Sequence, residues 1–106
     1  MTELASRYFA YGEAALPSIR VIHEDGRIFL HRATASYDLV YLDVFDHLLT
    51  VPWTMVTAEA LQAMSDRLAP GGVFAANVLS PLSGPGTADL ERLRATLESV
   101  FAEVRM

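Results

Sequence analysis

The sequence predicts an α/β domain with a mainly parallel sheet, because short buried runs alternate with segments of helical periodicity. The clearest run is YDLVYLD at residues 37–43, whose nearly continuous apolar character is typical of a parallel strand covered on both faces. A second buried run covers residues 73–79. Apolar side chains at helical spacing predict amphipathic helices over residues 58–68 and 88–101.

The region upstream of the clearest strand predicts three further elements. Residues 3–11 place leucine and tyrosine side chains at helical spacing, which predicts a short helix packed on an apolar surface. Residues 19–23 are rich in β-branched side chains and predict a strand that ends at the polar turn Glu24-Asp25-Gly26. One or two helical turns are expected at residues 27–32.

Local signals mark both ends of the helix predicted at residues 58–68. Thr57 is placed to act as its N-cap, and Pro70-Gly71-Gly72 predicts a sharp end to it. Residues 103–106 are a candidate for a last strand. At 106 residues, the whole chain is predicted to form a single domain with a modest core.

Composition argues against several classes of function. The net charge is -5 and the eight basic residues, all arginine, are scattered, so no basic face favours nucleic acid. No cysteine is present, which excludes disulfides and zinc-thiolate sites. No apolar run reaches the roughly 18 residues of a membrane span, and a signal segment is not recognised, so we expect a cytoplasmic protein. The three histidines lack the spacing of a ligand set, and no metal site is predicted.

Polar residues follow each predicted strand at the point where it ends. These residues are Glu24 and Asp25 after the first strand, Asp43 and Asp46 after the second, and residues 77–80 after the third. In parallel α/β sheets, ligands bind outside the carboxyl ends of the strands. The candidate functional residues are therefore expected at this edge of the sheet.

Three blocks of the sequence, at residues 24–30, 37–43 and 68–73, resemble successive blocks of the spermidine-synthase-like proteins. The likeness extends from about Leu4 to Phe101. It implies a Rossmann-like fold of the class I S-adenosylmethionine type, with a mainly parallel sheet and flanking helices. It also implies the chemistry of a transferase of the polyamine aminopropyltransferase or S-adenosylmethionine-dependent methyltransferase type.

The resemblance implies a role for each acid at the strand ends. Asp25, with Glu24 and Gly26 beside it, matches the cofactor-binding position, where the carboxylate accepts a hydrogen bond from the adenine amino group. A purely turn-forming Asp25 is the alternative. Asp43 matches the catalytic carboxylate that takes a proton from, or orients, the attacking amine, and Asp46 matches the acid that binds the cationic amine. For these two acids, a solvated loop is the alternative.

Trp53 lies in the loop after this acidic pair and is a candidate to line the substrate pocket. An aromatic side chain that covers the core is the alternative. Directly after Asp46 the chain continues with His47-Leu48-Leu49, where the family's aminopropyltransferases usually continue with proline and then glycine. The acceptor amine is therefore not assigned.

A complete domain of this type begins with a Gly-rich strand, turn and helix and a second strand whose acid holds the ribose, and neither part is recognised in the sequence. We therefore expect no tightly bound cofactor, with decarboxylated S-adenosylmethionine or S-adenosylmethionine as the candidate co-substrate. Two central strands would then be missing. Either the strands at residues 19–23 and 37–43 pair directly, or another chain fills the gap, so we expect a homodimer or other oligomer.

Two functions from different classes stay open. The first is a transferase-family domain that binds an adenosyl sulfonium compound and a small-molecule amine. The second is a non-catalytic, truncated Rossmann-like domain that acts as an oligomeric scaffold. A third interpretation, a phospho-receiver with Asp43 as acceptor, is opposed by the absence of lysine and of an upstream acidic pair.

Overall fold

The strands and helices alternate along the chain, as predicted. The computed structural model describes Arg7 and residues 18–43, 53–81 and 83–106. The elements in chain order are α1 (Gly26–Arg32), β1 (Tyr37–Leu42), a 3₁₀ helix (Trp53–Met55), α2 (Ala58–Ser65), β2 (Leu68–Ala76) and α3 (Thr87–Val100). β1 and β2 pair in parallel and form a two-stranded sheet. The α/β class and the parallel pairing are therefore confirmed for the described part of the chain.

The pairing of β1 with β2 contains one irregularity. Tyr37 pairs with Leu68, and the next matched pair is Leu39 with Val73, so β2 has three more residues than β1 between the two pairs. These extra residues form an excursion of β2 that includes Pro70-Gly71-Gly72. Beyond it the register is regular up to the end of both strands.

Glycine is required in this excursion for two different reasons. Gly71 has φ of 77°, a left-handed conformation that other residues adopt at a cost. At Gly72 an added Cβ would lie 2.8 Å from the Ala69 carbonyl oxygen and 3.0 Å from that of Tyr37. The prediction that these glycines end the preceding helix was wrong, because α2 already ends at Ser65 and the glycines belong to β2.

The start of α2 follows ordinary capping chemistry. Thr57 is the N-cap of α2, as predicted, and its Oγ1 accepts a hydrogen bond from Ala60 N at 3.2 Å.

On α3, Arg94 donates a hydrogen bond from Nε to Glu98 Oε1 at 2.9 Å, which raises the pKa of Arg94. Because both side chains are about half exposed, solvent screens this ion pair and it contributes little to stability.

The core lies on one face of the sheet, where all three helices contribute to it. Leu61 and Met64 of α2 are 0% and 2% exposed, and they pack with Leu42 of β1. Partly buried apolar side chains surround this centre: Leu30, Val40, Met55, Phe74, Leu97, Val100 and Phe101. The rings of Phe74 and Phe101 stack with their centroids 5.2 Å apart.

The opposite face of the same sheet is open. Leu39, Tyr41 and Val73 are each 57% exposed, and the first and last of these are paired in register. They share a face because successive side chains of a strand point to opposite sides. The prediction that β1 is covered on both faces was therefore wrong for this face.

Two predicted strands are not strands in the structure. Residues 19–23 and 103–106 have no strand assignment, so the first segment does not pair directly with β1. Strand propensity reflects the fit to a pleated, half-buried surface, and Ile22 in the first segment is 41% exposed. The helix predicted at residues 3–11 lies, apart from Arg7, outside the described residues. None of the helices in the described ranges has the length and apolar character needed to cross a membrane.

Candidate functional site

The carboxyl ends of β1 and β2 bring an acid and an amide together. Asp43 follows β1 and Asn77 follows β2, and Asn77 Nδ2 donates a hydrogen bond to Asp43 Oδ1 at 3.2 Å. The backbone N–H of Asn77 also donates to the Leu42 carbonyl oxygen at 3.0 Å. These two contacts fix the position of Asn77 relative to the end of β1.

This acid–amide pair can accept hydrogen bonds from a ligand. Asp43 and Asn77 are both exposed, so a ligand can reach them from solvent. Their hydrogen bond uses one carboxylate oxygen of Asp43 and the NH₂ group of Asn77. It does not use Asp43 Oδ2 or the Asn77 carbonyl oxygen, and both of these atoms are acceptors. The pair is thus suited to a donor-rich ligand such as an amine.

The acidic turn before α1 is held by bonds to that helix. Asp25 is the N-cap of α1, and its Oδ1 accepts hydrogen bonds from Arg27 N at 2.9 Å and Ile28 N at 3.3 Å. Arg32 Nε donates to both carboxylate oxygens of Glu24 at 2.8 Å. Asp25 therefore has a structural role at this turn, in agreement with the turn-forming alternative, and its proposed role toward adenine stays a prediction.

A small hollow of about 220 Å³ opens beside the acidic turn. Its lining consists of Arg20, Ile22, Glu24, Gly26 and Phe29. Two of the three residues predicted to bind the cofactor thus lie on one cavity. An added Cβ at position 26 would lie 3.5 Å from the Met55 Cε atom, an ordinary contact, so sterics do not require glycine there.

Arg32 connects two walls of this hollow, a contact that we did not predict from the sequence. Besides its bonds to Glu24, its guanidinium carbon lies 5.8 Å from the centre of the Phe29 ring. The two contacts combine an ion pair with a cation–π interaction. The signal for the cation–π contact was present in the sequence, since residues 29 and 32 are three apart on a predicted helix.

The remaining predicted site residues are placed only in part. The backbone of Trp53 begins the 3₁₀ helix, and its proposed role in the substrate pocket stays a prediction. Asp46 lies outside the described residues, so its proposed proximity to Asp43 is also untested. Among the residues that are described, no group of three or more His, Cys, Asp or Glu side chains is placed to hold a metal ion.

A parallel sheet with helices packed on it and polar side chains at its carboxyl edge defines the class of α/β domain in which ligands bind at strand ends. Similarity to curated proteins identifies the family within this class. The chain is 34% identical over 101 residues to the "Probable polyamine aminopropyl transferase" of Bifidobacterium longum, which covers 95% of this chain and 21% of that protein. It is 36% identical over 89 residues to the "Polyamine aminopropyltransferase 2" of Pseudomonas aeruginosa, which covers 83% of this chain and 25% of that protein.

A third relative extends the match to nearly the whole chain. The "Polyamine aminopropyltransferase 2" of Hyperthermus butylicus is 28% identical over 109 residues, which covers 99% of this chain and 35% of that protein. The chain therefore belongs to the spermidine-synthase-like proteins, as its sequence blocks predicted. It spans between 21% and 35% of the length of these three relatives. No family model and no solved structure matches it.

Proposed function

We propose that this chain is a spermidine-synthase-like domain of an incomplete Rossmann-like fold that binds an adenosyl sulfonium compound and presents Asp43 to an amine. The observation that carries the proposal is the acid–amide pair at the carboxyl edge of a parallel sheet. Homology to proteins named polyamine aminopropyltransferases supports the choice of an amine as the ligand of this edge.

The chemistry of such a transfer gives Asp43 a defined task. An ammonium group must lose a proton before its nitrogen can attack the carbon next to a sulfonium sulfur. The new C–N bond then forms as the C–S bond breaks, and the electron pair of that bond leaves with the neutral thioether. Asp43 is the proposed acceptor of the amine proton, and Asp46 is the proposed second acid that holds the cation.

The acidic turn and its hollow are the proposed adenosyl-binding region. The hollow of about 220 Å³ is smaller than the roughly 300–1,000 Å³ of most ligand pockets, which supports partial enclosure and weak binding. Both capping bonds of Asp25 use Oδ1. Oδ2 is therefore the oxygen proposed to accept from the adenine amino group. The candidate co-substrates are decarboxylated S-adenosylmethionine and S-adenosylmethionine.

The adenosyl proposal is tested by titrating the purified chain with both sulfonium compounds and with methylthioadenosine in a calorimeter. Asp25→Ser is the informative variant, because serine is also a strong N-cap and keeps α1 in place while it removes the carboxylate. Asp89→Ser, at an exposed acid in the first turn of α3, is the matched control. We expect saturable binding that is lost in Asp25→Ser and kept in Asp89→Ser.

Two results would contradict the adenosyl-binding proposal. One is the absence of binding at millimolar ligand by a chain whose circular dichroism shows that it is folded. The other is binding that Asp25→Ser leaves unchanged, which would place any ligand away from the acidic turn.

The open face of the sheet favours the alternative, a non-catalytic oligomeric scaffold. Leu39, Tyr41 and Val73 form this face, and both faces of parallel sheets are ordinarily covered. We propose that the chain forms a homodimer or other homo-oligomer through it. Sedimentation measures the mass in solution, and a monomer at all concentrations would contradict this proposal. A folded oligomer without affinity for any adenosyl compound would favour the scaffold over the transferase.

A further inference from the structure

We propose that Asn77 is a positioning residue that orients the Asp43 carboxylate and adds a second acceptor for the amine. This inference rests on the proposed function, because it concerns the amine that Asp43 is proposed to receive. It assigns a role to a side chain for which the sequence resemblance gave none.

Asn77 is held at its backbone as well as at its side chain. Leu42 and Ala76 are the last matched pair of the parallel register, so Asp43 and Asn77 are the residues that come next on each strand. The N–H of Asn77 donates to the carbonyl oxygen of Leu42 at 3.0 Å, which anchors the main chain. From this anchored main chain, the side-chain Nδ2 of Asn77 donates to Asp43 Oδ1 at 3.2 Å.

The direction of this hydrogen bond decides what the pair can bind. The NH₂ group of Asn77 donates toward the carboxylate, so this bond does not use the side-chain oxygen, Asn77 Oδ1. A primary ammonium has three donors and no acceptor, and it therefore matches the two acceptors Asp43 Oδ2 and Asn77 Oδ1. A neutral amide is not a base at ordinary pH, so Asp43 receives the proton and Asn77 fixes the geometry.

An exposed carboxylate without such a partner samples several rotamers and loses that freedom when it binds a ligand. A hydrogen bond from the amide to the charged acceptor holds Asp43 in one orientation before the amine arrives. Removal of the amide donor is therefore expected to lower the affinity for the amine and to leave the affinity for the adenosyl ligand unchanged. Loss of a residue that only supports the fold would lower both affinities together.

The composition makes the contact directly visible by NMR. Asn77 is the sole asparagine and Gln62 the sole glutamine of the chain, so the ¹H–¹⁵N spectrum contains two side-chain carboxamide NH₂ groups. Gln62 Nε2 donates to Asp66 Oδ1 at 2.9 Å, which is a second amide–carboxylate bond and an internal reference. We expect Asp43→Ala to shift the Asn77 NH₂ signals alone, and Asp66→Ala to shift the Gln62 signals alone.

Ligand binding supplies the functional test. We titrate the wild-type chain and the variants Asp43→Ala, Asn77→Leu and Asn77→Gln with 1,4-diaminobutane. The uncharged control is 1,4-butanediol, and the adenosyl probe is methylthioadenosine. We expect Asn77→Leu to lower the affinity for diaminobutane about tenfold, which is the effect of one hydrogen bond to a charged group. Its affinity for methylthioadenosine is expected to stay unchanged. Asn77→Gln keeps an amide and is expected to recover part of the loss.

Each other outcome overturns a distinct statement. Diaminobutane affinity that falls in Asp43→Ala but is unchanged in Asn77→Leu overturns the positioning role and leaves the proposed function standing. An equal loss of affinity for both ligands in Asn77→Leu overturns the positioning role in favour of a structural role. If the wild-type chain binds neither ligand, the proposed function fails and this role fails with it, even where the NMR contact is present.

Discussion

The two faces of the β1–β2 sheet carry apolar side chains of similar size but differ in what covers them. Leu42 on the helix-covered face is 5% exposed, whereas Leu39 and Tyr41 on the other face are both 57% exposed. These residues belong to one six-residue strand. The difference shows that an apolar pattern reports what a face is able to bury, while the elements packed against it decide what is buried.

The largest effect is expected from truncation on the covered face. Leu61→Ala removes a side chain that is 0% exposed and leaves a cavity at the centre of the core, at a cost of about 2–5 kcal/mol in the free energy of unfolding. Leu39→Ala makes the same truncation on the open face and is expected to cost less than about 1 kcal/mol at protein concentrations low enough for the chain to be monomeric. Urea unfolding of both variants at this low concentration measures the contrast, and equal losses would mean that elements within the chain itself cover the open face.

A smaller loss of stability is expected from a substitution at the excursion within β2. Gly72→Ala places a Cβ 2.8 Å from the Ala69 carbonyl oxygen, and we expect about 1–3 kcal/mol of destabilisation from this overlap with backbone. Gly26→Ala is the matched control, because its Cβ meets only the end of Met55 at 3.5 Å. Thermal unfolding distinguishes them. A harmless Gly72→Ala would show that the excursion adjusts without disturbing either face.

The smallest effect on stability is expected from polar substitution of the open face. The double variant Leu39→Thr, Tyr41→Thr introduces a β-branched strand former at both positions, and at monomeric concentrations it is expected to unfold within about 1 kcal/mol of the wild type. Because the proposed oligomer uses this face, the mass of the double variant in sedimentation is expected to fall toward that of the monomer. An unchanged mass would move the proposed interface elsewhere.

The sequence predicted the class of fold because its signals were local. The YDLVYLD run predicted β1, and Thr57 predicted the start of α2 through a capping bond three residues away. The start of β2 was missed because it depends on a distant partner. Tyr37 N donates to the Arg67 carbonyl oxygen at 2.7 Å, and this pairing extends the strand back through Pro70-Gly71-Gly72, which looked like a helix end.

In the candidate site, too, the local features could be predicted from the sequence and the contacts between distant residues could not. The rule that ligands bind at strand ends identified Asp43 and the region of Asn77 from the sequence. Their hydrogen bond depends on the register of two strands that are far apart along the chain, and the excursion in β2 makes that register hard to count from sequence. Asp25 remained ambiguous because the same carboxylate can cap a helix and accept from a ligand.

The contacts of Arg32 have a consequence for the rate at which the hollow can be occupied. Its guanidinium lies on Phe29 and bonds Glu24, so two walls of the cavity are tied to one helix before any ligand enters. A cavity that is already assembled loses little conformational entropy on binding. Association at the hollow is therefore expected to be a single fast step, without a slow phase in which the walls close around the ligand.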